Sequence, residues 1–136
     1  MRSLGLDIGD KRIGVAMSDP RGILASPIKI INRKDDGGTI EAIADIIGQQ
    51  QIEQIIVGLP LSMEGTIGHQ AEKVKDFVLK LCQHVEVPVA FRDERLTTVS
   101  AKNLMQSVNI KKSKRIIRYD AIAAAIILQG YLDEVR

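Results

Sequence analysis

The stretch LGLDIGDKRIGVAMSD, residues 4–19, decides the fold of this chain. Apolar residues alternate with glycines and Asp7 in its first part, and a second alternating run follows the turn at residues 9–11. This period of two predicts two antiparallel strands joined by a tight turn, with Asp7 near the carboxyl end of the first strand. A buried carboxylate persists only when it is paired or coordinated. Asp7 is therefore either a structural acceptor for turn amides or a functional ligand.

The composition is that of an ordinary soluble globular protein. Hydrophobic residues make up 45% and charged residues 26% of the 136 residues, a length that predicts one domain over residues 1–136. Aromatic residues are only 3%, with no Trp, so stacking on unpaired bases is excluded as the main mode of nucleic-acid binding. The net charge of +2 is too small to indicate a polyanionic partner by itself. Any such binding must therefore come from a local concentration of charge.

The cysteine content and the hydropathy pattern indicate a cytoplasmic protein. The single cysteine, Cys82, has no internal partner for a disulfide, which is typical of a reducing compartment. The longest apolar run, residues 121–128, is far shorter than the roughly 20 residues that cross a bilayer. We therefore expect a cytoplasmic protein that does not act on membranes.

Helices and strands alternate after the first hairpin. Helical periods of apolar residues and cap residues predict the helices, and short apolar runs predict the strands. The predicted elements are a strand over residues 23–31, a helix that Thr39 caps and Gly48 ends, a strand over residues 55–57, a helix over residues 71–81, a strand over residues 87–91, a helix capped by Thr97 or Thr98, and a last helix that begins near Asp120.

This order predicts an α/β fold. The sheet should have five strands, antiparallel over the first three and parallel afterward, with helices on both faces. The wholly apolar run at residues 55–57 is typical of a central strand that is covered on both sides. Pro88 indicates that the last strand begins there or lies at an edge of the sheet.

Three acidic residues stand at strand ends or helix starts in this arrangement: Asp7, Glu94 and Asp120. If the first and last parallel strands flank the fourth, their carboxyl ends meet at one rim, and oxygen ligands placed there suit a hard cation such as Mg²⁺. The two histidines and the single cysteine are not spaced as zinc ligands. Each carboxylate also has a structural explanation: an Asp in a first helical turn is stabilised by the helix dipole, and Glu94 can pair with Arg92 or Arg95.

Basic residues concentrate in one segment, residues 111–118, which contains no acid. Lys and Arg contacts to phosphates bind nucleic acid without reading its sequence. Lys11, Arg12 and Arg95 lie near the carboxylates in the predicted arrangement. A solvated basic loop without a partner is the alternative interpretation. The predicted nucleic-acid-binding residues are Lys11, Arg12, Arg95, Lys111, Lys112, Lys114, Arg115 and Arg118.

The chain resembles the YqgF/RuvX family over essentially its whole length. The resemblance rests on four motifs in the family's order and spacing, LDIGDKRIGVAMSD, VGLPLSMEGT, RDERLTT and YDAIAAAIILQ. It implies a ribonuclease-H-like fold, which agrees with the predicted order of strands, and metal-ligand roles for Asp7, Glu94 and Asp120. The resemblance, rather than the spacing, selects Glu94 over its neighbour Asp93. Members of the family are described as Holliday-junction resolvases or pre-ribosomal-RNA nucleases.

These observations predict a nuclease of the two-metal-ion type that hydrolyses phosphodiester bonds with Mg²⁺ or Mn²⁺ as cofactor. The resemblance favours 5′-end maturation of the small-subunit ribosomal RNA precursor, with ribosome-assembly particles as partners of a monomer or weak homodimer. Resolution of Holliday junctions in DNA recombination and repair is the alternative, with branched DNA as substrate. A catalytically silent nucleic-acid-binding module is a further alternative, which would bind without metal and never cleave. An actin-like kinase or ATPase would need two such domains, for which 136 residues are too few.

Overall fold

Five strands form one mixed sheet in the computed structural model, which describes residues 1–60, 68–93 and 112–135, with the backbone alone for residues 112–119. The strands lie in the order β3-β2-β1-β4-β5. In chain order the elements are β1 (Ser3–Ile8), β2 (Arg12–Ser18), β3 (Ala25–Asn32), α1 (Asp36–Gln50), β4 (Gln54–Leu59), α2 (His69–Cys82), β5 (Val89–Asp93) and α3 (Lys112–Val135).

The pairing of the strands confirms the predicted mixed sheet. β1 pairs with β2, and β2 with β3, in antiparallel register, whereas β4 pairs in parallel register with β1 on one side and β5 on the other. The carboxyl ends of β1, β4 and β5 therefore meet at one rim. Pro88 comes directly before β5, which is an edge strand among the strands that the structure describes.

The two faces of the sheet carry different kinds of core. Large aliphatic side chains fill the face covered by α1 and α2, whereas the core on the face covered by α3 combines alanines with Ile56, Ile127, Leu128 and Leu132. The apolar run in β4 divides between them, because Ile55 and Val57 pack toward α1 and α2 and Ile56 packs toward α3. This confirms that β4 is a central strand covered on both sides.

The boundaries of α1 differ from the prediction at both ends. Asp35 caps the helix, and its carboxylate accepts a hydrogen bond of 2.6 Å from the backbone N–H of Gly38. Thr39 is buried inside the first turn, where its hydroxyl donates to the carbonyl of Asp35. The helix continues through Gly48 to Gln50 and ends because Gln51 adopts a left-handed conformation and donates to an earlier carbonyl.

The last helix also begins earlier than predicted. α3 starts at Lys112, about two turns before Asp120. Basic residues oppose the helix dipole at an N-terminus, but Lys, Arg and Ile all sustain a helix and no Gly or Pro interrupts residues 112–119. Asp120 consequently lies inside the helix, and the dipole of a first turn does not account for it. The predicted helix capped by Thr97 or Thr98 lies outside the described residues. Among the helices that the structure describes, none is both long and apolar enough to span a membrane.

Candidate active site

Asp7 and Asp120 both lie next to the same glycine, Gly14. Asp7 is the cross-strand partner of Gly14 in the β1–β2 hairpin, and side chains of such partners point to the same face of the sheet. α3 packs so closely onto Gly14 that a Cβ atom there would come within 1.9 Å of the Asp120 carbonyl oxygen. Only glycine permits this approach. The contact brings two half-buried aspartates, 113 positions apart in the sequence by their numbering, to one place on the α3 face.

An arginine from the hairpin turn contacts one of these carboxylates. The Arg12 Nε atom donates to the Asp120 Oδ2 atom at 3.0 Å. The Arg12 side chain is 39% exposed and that of Asp120 is 21% exposed, so the pair contributes at most about 1 kcal/mol to stability. Its main consequence is geometric, because it orients the guanidinium of Arg12 toward the carboxylate that α3 delivers.

A cleft of about 280 Å³ opens at the rim of the sheet, beside the turn between β1 and β2. Its walls combine the turn of the β1–β2 hairpin with the helix that crosses above it. The lining residues are Gly9, Asp10, Lys11, Arg12 and Asp120. The volume is below the range of pockets for drug-sized ligands and fits a small charged group, such as one phosphate of a longer chain that continues across the surface.

The described donors are suited to a hard cation. Asp7 and Asp120 offer carboxylate oxygens, which Mg²⁺ prefers as ligands. The third predicted ligand, Glu94, directly follows β5 but lies outside the described residues. Within residues 1–60, 68–93 and 112–135, no three His, Cys, Asp or Glu side chains are grouped closely enough to hold a metal. The described part of the chain thus brings together two of the three predicted ligands.

The predicted basic residues divide between described and undescribed parts. Lys11 is exposed beside the cleft, and Arg12 contacts Asp120. Arg95 and Lys111 lie outside the described residues. The remaining predicted residues belong to the first two turns of α3, for which only the backbone is described: Lys112, Lys114, Arg115 and Arg118.

One residue at this site, Arg33, is not among the predicted site residues. Its Nη1 atom donates to the carbonyl of Gly9 at 2.7 Å and so ties the hairpin turn to the chain that follows β3. A lone arginine after a strand carries no recognisable signal, because its partner is 24 positions away.

Solved structures with a similar fold cover nearly the whole chain. The chain is similar to Thermus thermophilus RuvC in complex with a Holliday junction substrate, with a TM-score of 0.61 and 13% identity, covering 99% of this chain and 96% of that one. It is also similar to the fowlpox virus Holliday junction resolvase, with a TM-score of 0.58 and 16% identity, covering 98% and 99%. At such identities the likeness concerns the fold, and it confirms the predicted ribonuclease-H-like class.

Relatives and a family model match the sequence itself. Two relatives, from Desulforamulus reducens and from Roseiflexus sp. strain RS-1, both carry the name "Putative pre-16S rRNA nuclease" and are each 44% identical to this chain. The alignments cover 98% of this chain and 97% of the first relative, and 99% of this chain and 96% of the second. A family model described as "RuvX: Holliday junction resolvase" matches residues 1–134. The chain therefore belongs to the RuvX family.

Proposed function

We propose that this chain is a metal-dependent nuclease that hydrolyses phosphodiester bonds in nucleic acid, as one domain over residues 1–136. The observation that carries the proposal is the placement of Asp7 and Asp120 next to Gly14, with Asp120 lining a cleft that Lys11 and Arg12 also line. Negative oxygen ligands beside cationic side chains are what a phosphodiester substrate and its metal ions require.

The proposed metal ligands are Asp7, Asp120 and Glu94, with Mg²⁺ or Mn²⁺ as the ion. Divalent ions held in this way would ionise an attacking water and neutralise the leaving oxygen of an in-line cleavage. The residues of the chain have separate tasks: the carboxylates would hold the ions, and Arg12, which pairs with Asp120 in their absence, would turn toward the substrate. An ion at Asp120 would leave this partly buried carboxylate paired when Arg12 moves away.

The proposed substrate is the precursor of the small-subunit ribosomal RNA, matured at its 5′ end. The names of the relatives from Desulforamulus reducens and Roseiflexus support this choice over other nucleic acids. Phosphate contacts would come from Lys11 and Arg12 at the cleft and from the basic segment at residues 111–118, together with Arg95. We propose that the chain acts in the cytoplasm, on ribosome-assembly particles, as a monomer or a weak homodimer.

Resolution of Holliday junctions is the second candidate. The description of the family and the fold shared with junction resolvases favour it. Symmetric cutting of a junction needs two active sites related by a two-fold axis, whereas one chain carries one site. Sedimentation with and without a four-way DNA junction separates the candidates, because a protein that stays monomeric on the junction cannot make paired cuts.

The test of the proposed function is cleavage of a labelled panel. Single-stranded RNA that contains the 5′ precursor sequence, duplex DNA and a four-way DNA junction are compared in Mg²⁺, Mn²⁺, Ca²⁺ and excess EDTA. We expect cleavage of the RNA in Mg²⁺ or Mn²⁺ and not in Ca²⁺, which is larger and coordinates more loosely. Full activity in excess EDTA would contradict a metal-dependent reaction, and cleavage of the junction alone would favour the second candidate.

A further inference from the structure

The backbone of the turn that carries Lys11 and Arg12 is bonded from outside by Arg33. The Arg33 side chain donates from Nη1 to the carbonyl of Gly9 at 2.7 Å, and its backbone N–H donates to the carbonyl of Lys11 at 2.9 Å. Inside the turn, the backbone N–H of Gly9 donates to the carbonyl of Arg12 at 2.9 Å. Both sides of the turn are thus fastened to residue 33.

The Arg33 guanidinium is itself fixed from several directions. Its Nη2 atom lies 3.2 Å from Asp36 Oδ1, and the other carboxylate oxygen of Asp36 accepts from Lys80 Nζ at 2.9 Å. The guanidinium also lies over the Phe77 ring, 4.8 Å from its centroid. With 19% of its side chain exposed, Arg33 joins α1 and α2 to the hairpin turn. A planar fork can make these contacts at once, whereas a lysine offers a single point of charge.

The other outside contacts of the turn involve its side chains rather than its backbone. Arg12 Nε contacts Asp120, and Asp10 Oδ1 lies 3.6 Å from Lys73 Nζ and 3.5 Å from Gln70 Nε2 in an exposed position. Exposed pairs of this kind contribute little to holding a backbone in place. Among the described side chains, Arg33 is therefore the one that fixes the backbone of the turn.

We propose that Arg33 is a positioning residue for nucleic-acid binding: it fixes the turn so that Lys11 and Arg12 meet the phosphates of the substrate together. The inference rests on the proposed function in one respect, namely that Lys11 and Arg12 contact phosphates. Arg33 does not touch the substrate in this scheme. It acts through the Gly9 and Lys11 carbonyls.

The first test compares two substitutions, one that removes a positive charge and one that removes a negative charge. Arg33→Met keeps the apolar contact with Phe77 but removes the donors to Gly9, and it should weaken binding about tenfold, as expected for a lost hydrogen bond from a charged group. Asp36→Asn removes a negative charge, which would tighten binding if net charge alone mattered. Because it loosens Arg33, we expect it instead to weaken binding by roughly twofold to threefold. Tighter binding by Asp36→Asn would overturn the proposal, and this variant decides the matter if Arg33→Met does not fold.

The second test is a double-mutant cycle, measured by fluorescence anisotropy with labelled single-stranded RNA in Ca²⁺, which can occupy the carboxylates without supporting cleavage. In a Lys11→Ala/Arg12→Ala background, Arg33→Met should cause no further loss, because the turn has no cations left to position. A loss of the same size in both backgrounds would indicate a direct charge effect and would overturn the proposal.

The control for stability is Asp19→Ala at the opposite end of β2. Asp19 accepts hydrogen bonds from the backbone N–H groups of Ile23 and Leu24, so its loss loosens the other turn of the meander. This variant should melt earlier yet bind RNA normally. If Lys11→Ala/Arg12→Ala itself leaves affinity unchanged, both the phosphate contacts and this inference fail. If that variant binds weakly and Arg33→Met binds normally, the inference alone fails.

Discussion

The two faces of the sheet are packed in different ways. On the face covered by α1 and α2, large side chains such as Ile43, Phe77 and Leu81 are buried and fill a thick core. On the other face, Gly5 and Gly14 let α3 approach until its backbone meets the strands. Burial of large aliphatic side chains contributes about 1.5 to 3 kcal/mol each, so the first face supplies much of the stability.

The close approach of α3 instead fixes where the residues of that helix lie relative to the strands. A helix that rests on glycines cannot slide or lift without losing contacts along its length, and it therefore holds Asp120 beside Asp7 within narrow limits. The bulkiest core and the proposed metal ligands Asp7 and Asp120 thus lie on opposite faces of one sheet. Substitutions on the two faces should separate loss of folding from loss of function.

The largest effect is expected from the three proposed metal ligands. Asp7→Asn, Glu94→Gln and Asp120→Asn each keep the shape of the side chain but remove a negative oxygen ligand. Each should lower cleavage by roughly a thousandfold or more, since metal ions supply several kcal/mol of transition-state stabilisation. Asp45→Asn, exposed on α1, is the matched control and should cleave normally. Single-turnover cleavage in Mg²⁺ measures all four.

The same variants should fold as well as the parent without metal. Removing one of two neighbouring negative charges relieves repulsion, so Asp7→Asn should melt at the same temperature or slightly higher. Asp120→Asn loses its partly exposed pair with Arg12 and should lose at most about 1 kcal/mol. A clear fall in the melting temperature of Asp7→Asn, with cleavage falling only in proportion to unfolded protein, would mean that Asp7 supports the fold rather than the chemistry.

The next effect concerns the glycine beneath Asp120. Gly14→Ala would place a methyl group within 1.9 Å of a backbone oxygen, which cannot rotate away as a side chain can. We expect a loss of about 3 kcal/mol or more in the free energy of unfolding, measured in urea, together with loss of cleavage. Gly48→Ala in α1 meets nothing within 4 Å and should instead gain up to about 1 kcal/mol. Equal stability of the two variants would show that α3 is not seated on the hairpin as described.

A third, smaller effect is expected from the basic segment at residues 111–118, most of which forms the first two turns of α3, the helix of Asp120. Changing Lys111, Lys112, Lys114 and Arg115 to Ala should weaken nucleic-acid binding about equally for all sequences. The slope of log affinity against log salt should flatten by roughly 0.7 to 0.9 for each lost phosphate contact. Lys75→Ala, in α2 under the other face, is the control and should leave the slope unchanged. An unchanged slope in the fourfold variant would show that the segment does not contact phosphates and is a solvated surface.

The smallest effect is a dependence of stability on acid at two aspartates outside the cleft. Hydrogen bonds from the backbone N–H groups of Leu24 and Ile23 lower the pKa of Asp19 below its ordinary value of 3.8, and hydrogen bonds from Lys80 and Arg33 lower the pKa of Asp36. A group whose pKa is lowered in the folded state stabilises the fold at pH values above its ordinary pKa. This stabilisation is lost as the pH falls through the folded-state pKa. The melting temperature should therefore decline below about pH 4, and less steeply in Asp19→Ala. Parallel declines in the two proteins would contradict this assignment.

Local patterns in the sequence were sufficient to predict the architecture. Alternation on both sides of residues 9–11 specifies a hairpin, and an apolar run at residues 55–57 specifies a covered central strand, because each depends on neighbours a few positions away. The mixed sheet and its helix-covered faces follow from these local signals and the rule of right-handed crossovers, whereas the position of β4 between β1 and β5 entered the prediction only as a condition. Asp7 could be singled out in the same way, as a carboxylate in an otherwise apolar strand, and Asp120 as the acid at the predicted start of the last helix. The choice of Glu94 came from the resemblance to a family.

Tertiary structure alone decided how these residues meet. The pair of Arg12 with Asp120 joins positions 108 apart, and the bond from Arg33 to Gly9 joins positions 24 apart. No periodicity encodes such contacts, because they exist only once α3 has settled on Gly14 and α1 has packed beside the hairpin. The start of α3 at Lys112 was missed for a related reason: basic residues at a helix N-terminus are unfavourable locally. Local energies therefore determined the elements of this protein, and the packing of distant elements determined its site.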